Sequence, residues 1–106
     1  MTTIPLIQNT ENGKHFYELH VKDQKAFIEY SSFSNNVMLL MSSGFTKNLL
    51  NADEVSEALI ERVLDRFRKM NYKIISYCPR INKFIQRRKQ YRRMIASNCL
   101  ESETSF

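Results

Sequence analysis

The 106-residue chain has room for one domain and little more. Hydrophobic residues make up 42% and charged residues 25%, which is globular usage and argues against global disorder. The formal net charge of +5 favours polyanionic partners such as nucleic acid, phosphate-bearing cofactors or acidic lipid surfaces, without choosing among them. Two cysteines, Cys78 and Cys99, do not make a disulfide framework and read as reduced thiols of a cytoplasmic protein. Met1 to Pro5 lacks a basic segment followed by an apolar run, so no signal peptide is expected. The longest apolar run, Val37 to Met41, is too short to span a bilayer.

Asn9 to Lys14 is polar, contains Gly13 and reads as a loop. Tyr17, Leu19 and Val21 then alternate with Glu18 and His20, the period of a half-buried strand. Lys22-Asp23-Gln24 is a polar turn. Ala26, Ile28 and Tyr30 alternate with Phe27 and Glu29, which predicts a second strand in a hairpin with the first. Val37 to Met41 is apolar without alternation and predicts a strand covered on both faces, ended by Ser42-Ser43-Gly44. From Ala52 to Met70 the pattern changes. Val55, Leu59, Val63 and Phe67 recur every four residues with Ile60 and Leu64 beside them, which predicts an amphipathic helix. Asn51 or Asp53 is its candidate cap.

Asn71 ends that helix, and Lys73 to Tyr77 is short and β-favouring. Pro79 marks the start of a further helix, with Ile81, Phe84, Ile85 and later Met94 and Ile95 on one face. The order β-β-β-α-β-α predicts an α+β fold: a mixed, mostly antiparallel sheet with a central crossover helix and a C-terminal helix. The strand–helix–strand unit implies one parallel pair, Ile74 to Tyr77 beside Val37 to Met41. Residues 1–96 form the domain in this reading, and residues 97–106 a polar, frayed tail.

Cys78 is the candidate reactive group. It lies between a strand and a helix start, where the positive end of the helix favours a thiolate, and Arg80 is near in sequence. The other reading is a small hydrophobe buried at a strand end. Asp53 and Glu54 complement the dipole of the central helix and cap its first turn. His15 and His20 have no cysteine or carboxylate at a zinc-like spacing, so no metal site is expected. Arg80, Lys83, Arg87, Arg88, Lys89, Arg92 and Arg93, interleaved with Phe84 and Tyr91, fit a coenzyme phosphate, a nucleic-acid backbone or a solvated helix face.

Several segments resemble the small single-domain GNAT-like N-acetyltransferases. Ala26-Phe27-Ile28-Glu29-Tyr30 is similar to that family's strand ending in tyrosine. Lys73 to Pro79 resembles its strand leading into Cys-Pro, and Phe84 to Tyr91 its basic-aromatic helix. The resemblance runs from about Ile4 to Ile95, and the Cys-Pro segment with the following helix is its most specific part. It implies an acyl-coenzyme A fold in which the cofactor, acetyl-CoA, lies between splayed strands. The pyrophosphate would then rest on backbone N–H groups at the start of the central helix, and an amine would accept the acyl group. It carries a functional cysteine onto Cys78 and the pyrophosphate onto Ala52, Asp53, Glu54, Val55 and Ser56, with Arg87 and Arg88 as further phosphate ligands.

The family's glycine-rich loop has no counterpart here. Residues 52–56 hold no glycine and two carboxylates, and Ser42-Ser43 stands where the family has His-Thr. The expected function is therefore an N-acetyltransferase-type domain whose coenzyme A binding is weak or lost. The alternatives are a non-catalytic interaction module and, third, a small basic nucleic-acid-binding domain.

Overall fold

Asn12 and Gly13 both take positive φ, 54° and 77°. That backbone suits an Asn-Gly pair and closes a two-residue hairpin between β1 (Ile7–Glu11) and β2 (Lys14–Val21). The polar segment expected to be a loop is thus the end of an edge strand and its turn. A second tight connection, with Lys22 at φ 57°, joins β2 to β3 (Gln24–Ser34). β3 returns antiparallel to β4 (Val37–Phe45), which runs past the expected stop at Ser42. The computed structural model describes residues 4–96. The segment 97–106, with Cys99, lies outside them.

After β4 the chain crosses through α1 (Ala52–Lys69) and enters β5 (Lys73–Ser76), which lies parallel to β4 with Val37 opposite Lys73 and Leu40 opposite Ser76. The sheet order is β1-β2-β3-β4-β5, so the fold is α+β with a mixed, mostly antiparallel sheet. Then α2 (Pro79–Gln86) and the short α3 (Lys89–Arg92) pack beside α1. No helix among the described residues is long and apolar enough to cross a membrane.

The core lies between α1 and one face of the sheet. Tyr17, Leu19, Ala26, Ile28, Met38, Leu40 and Ile74 from the strands meet Leu59, Val63 and Phe67 from the helix, all buried. Each of the larger of these contributes about 1.5–3 kcal/mol by leaving water. Val55, the first residue of the expected stripe, is only half-buried. Ile60 and Leu64 form the flank of α1 nearest Ile81, Phe84 and Ile85 of α2.

Three expectations are corrected. β4 is not covered on both faces: Met38 and Leu40 are buried, but Val37 and Leu39 lie on the opposite face and stay partly exposed. Asn51 is the residue before α1, in the left-handed region at φ 55°, yet neither its side chain nor that of Asp53 caps the helix. The C-terminal helix is broken at Arg87–Arg88, because Arg88 is extended (φ −133°, ψ 113°). Tyr91 and Met94 therefore reach the core through α3 and its exit. Ile95 is not on a helix but bridges in parallel to Ile74, flanked by Ile74 N–H to Met94 O (2.8 Å) and Ala96 N–H to Ile74 O (2.9 Å).

Candidate functional site

β4 and β5 stay paired only as far as Leu40 and Ser76, with one more bond from Tyr77 N–H to Leu40 O at 2.9 Å. Beyond that, β4 follows β3 to Phe45 while the other chain turns into α2, and the strands part. A bulge sits at the branching point. Tyr30 faces Leu40 and Glu29 faces Ser42, so Met41 is the extra residue. The bulge shifts the alternation of β4 and puts Ser43 opposite Ile28, on the covered face.

Cys78 stands where the strands part. It is the extended residue just before α2, with Pro79 at the first helical position, and its carbonyl accepts from Asn82 N–H at 2.9 Å. Its own N–H donates to Ser76 Oγ at 3.3 Å. The thiol is buried, 5% exposed, and its Sγ lies 3.1 Å from Ser43 Oγ. Met41, Phe45 and Tyr77, from the two parting segments, and Leu50, just ahead of α1, are among the exposed large hydrophobic side chains.

Arg80 joins three elements. Its guanidinium donates to Asp53 Oδ1 at 3.0 Å and lies over the Phe45 ring at 5.7 Å, tying the first turn of α2 to the first turn of α1 and the end of β4. Both partners of the ion pair are solvent-exposed, so it contributes only about 0–1 kcal/mol. Asp53, Glu57, Arg80, Lys83, Phe84 and Arg87 line a cleft of about 380 Å³ there.

Of the residues singled out in 52–56, Asp53 and Glu54 are exposed, Ala52 and Val55 are half-buried, and Ser56 is buried. The Ser56 hydroxyl has no hydrogen-bond partner among the described residues, a state that costs about 1–3 kcal/mol unless a ligand or water relieves it. With no side-chain cap on α1, its first backbone N–H groups are open to an anion. Arg87 lines the cleft. Arg88 does not: it stacks on the Phe84 ring, 3.7 Å from the centroid, and donates to Phe84 O at 3.4 Å. The structure thus groups Cys78 with Ser43, and Asp53 with Arg80, Lys83 and Arg87. The sequence marked Ser43 only as part of the Ser42-Ser43 that stands where the family has His-Thr, and gave it no role.

The histidines lie away from this region. His15 meets Thr10 Oγ1 at 3.0 Å, and His20 meets the buried Glu18 carboxylate at 2.6 Å. Burial pushes the Glu18 carboxyl up, but hydrogen bonds from His20, Lys25 and Asn9 outweigh it and hold the carboxyl below its usual range. Among the described residues no three or more His, Cys, Asp or Glu side chains are grouped to hold a metal ion.

Comparison with curated proteins gave no match. A family model described as GCN5-related N-acetyl-transferase matches residues 16–94. That span begins in β2 and takes in the parting strands, α1, Cys78 and both C-terminal helices. The chain belongs to the GCN5-related N-acetyltransferase family.

Proposed function

We propose that this domain binds acyl-coenzyme A where β4 and β5 part and transfers the acyl group to an amine, with Cys78 at the reacting end. One observation carries the reading. A buried thiol 3.1 Å from a serine hydroxyl lies between the parting strands, and Arg80, Lys83 and Arg87 on the helix that follows it line a cleft with Asp53 at the uncapped start of α1. Acyl-coenzyme A, when bound, supplies an activated thioester carbonyl. The residues fit such a ligand. The open amides at the start of α1 and the three cations suit phosphates. Ser43 Oγ–H can donate to the sulfur as the Cys78 thiol gives up its proton on reaction, which supports attack by the sulfur. Asp53 and Glu54 oppose the anion, so binding is weak.

Calorimetric titration with coenzyme A and acetyl-CoA tests this, together with alkylation of Cys78. Saturable binding in the high-micromolar to millimolar range is expected, with coenzyme A protecting the thiol from alkylation. Ser43→Ala is expected to slow alkylation at neutral pH without unfolding the protein. The 5% exposure of Cys78 and the two carboxylates favour a second reading, a non-catalytic interaction module of the same fold. Absence of binding heat and an alkylation rate indifferent to coenzyme A would establish that reading instead.

A further inference from the structure

Lys73 opens β5 and Cys78 follows its end, so the two residues lie up to about 16 Å apart along the extended chain. At the Lys73 end, Arg68, Asn71, Tyr72, Lys73, Gln90 and Arg93 line a groove of about 360 Å³. Among the described residues no carboxylate lines it. The nearest acid in contact is Asp65, which takes one Arg68 nitrogen at 3.2 Å, one negative charge against three positive ones. Lys73 Nζ donates to Arg93 O at 3.0 Å, so the Lys73 ammonium is held beside the Arg93 backbone, with no ion-pair partner among the described residues.

Part of this positive charge has a structural use. Arg66, Arg68 and Lys69 complement the carbonyl end of α1. Lys73 and Arg93 stand outside that helix, and the dipole does not account for them. The groove also gathers neutral donors. Asn71 holds the left-handed turn after α1, at φ 61°, and neither its amide, nor that of Gln90, nor the Tyr72 hydroxyl bonds to a protein acceptor among the described residues.

We infer that this groove binds the phosphoryl group of a small ligand. Two guanidinium forks, one ammonium and two carboxamides around a concave surface are the donor set a phosphate oxygen cluster requires. The volume takes a phosphate and the group that carries it. A polyanion would instead favour an extended basic stripe, whereas these residues line one depression. The inference does not depend on acyl transfer, because the groove and Cys78 sit at opposite ends of β5.

The test is a set of amide chemical-shift titrations of the full chain at constant ionic strength, with inorganic phosphate, with pyrophosphate and with a short single-stranded oligonucleotide. Phosphate and pyrophosphate are expected to shift the amides of residues 68–73 and 90–94 saturably. The double variant Lys73→Gln/Arg93→Gln is expected to weaken this at least about tenfold and to leave the shifts that coenzyme A produces at residues 52–56 and 80 unchanged. Arg80→Gln should leave the groove titration unchanged. Absence of a saturable shift, shifts centred on residues 52–56 and 80, or undiminished affinity in the double variant would each overturn the inference. So would an oligonucleotide that binds more tightly than pyrophosphate and spreads onto Lys89 and Arg92.

Discussion

Replacing Asp53 with Asn is expected to move stability and coenzyme binding in opposite directions. Asp53 sits in the first turn of α1, where a carboxylate gains about 0.3–1 kcal/mol from the helix dipole. Its contact with Arg80 at 3.0 Å joins two exposed groups, 84% and 39% accessible, and adds about 0–1 kcal/mol. Their loss lowers stability by about 1 kcal/mol, which in a domain of this size is about 4–8 °C in melting temperature. Binding responds with the other sign. A charge pair at about 5 Å is worth about 0.8 kcal/mol in a water-like dielectric and about 3 kcal/mol at an effective value near 20. The high exposure of Asp53 puts it near the lower figure. Two phosphate charges then give about 1.6 kcal/mol, roughly a tenfold gain in affinity, and Arg80 is released to add to it. Calorimetry with coenzyme A and a thermal melt on the same samples read both effects. Replacing residues 52–54 with Gly-Lys-Gly should gain more, since it also lets the backbone approach the phosphate. Affinity that is unchanged or lower in Asp53→Asn would show that the pyrophosphate does not lie at the start of α1.

Two further predictions concern the core's titrating groups. Because the folded Glu18 carboxyl keeps its charge to lower pH than the unfolded one, its contribution is present above about pH 4.5 and is lost as the pH falls through the folded value. Glu18→Gln should cost about 1–3 kcal/mol at neutral pH, by removing the negative charge and one of the two oxygens that accept from His20, Lys25 and Asn9, and should flatten the acid limb of a stability–pH curve. A variant with the same acid limb as the natural chain would contradict this. Burial and the 2.8 Å hydrogen bond to Asp65 push the Tyr91 phenol up to about 12. Its contribution is therefore present below pH 10 and is lost as the pH rises towards 12. Phenolate absorbance should show Tyr91 absent from the ordinary titration until the protein unfolds, with Tyr17, also raised by burial, titrating late. Tyr91→Phe should remove the latest-titrating phenol at a cost of about 1–2 kcal/mol; an unaltered titration would mean that the phenol is not held by Asp65.

The parts of the fold that were legible in the sequence are those whose burial is one-sided and long. Leu59, Val63 and Phe67 repeat over several turns because α1 has one face against the sheet, and the crossover to a parallel β5 follows from that helix. β1 has no such constraint. Its Gln8, Asn9, Thr10 and Glu11 lie on an edge strand and carry no period, so the Asn12-Gly13 turn was the only mark of it. The break at Arg88 has no Gly or Pro to announce it, and the spacing of Ile81, Phe84 and Met94 reads as one helix. The site divides in the same way. A Cys-Pro pair after a short strand declares a strand-to-helix junction, and Cys78 is found there. Its partner depends on a single unpaired residue 37 positions earlier in the chain. Strict alternation from the buried Leu40 would turn Ser42 towards the covered face and Ser43 away. The bulge at Met41 reverses this, sends Ser42 to Glu29 on the open face at 3.4 Å, and brings Ser43 against the thiol. The same irregularity lies where β4 leaves β5, so the opening between the strands and the hydroxyl beside Cys78 have one structural cause, which hydrophobic periodicity does not encode.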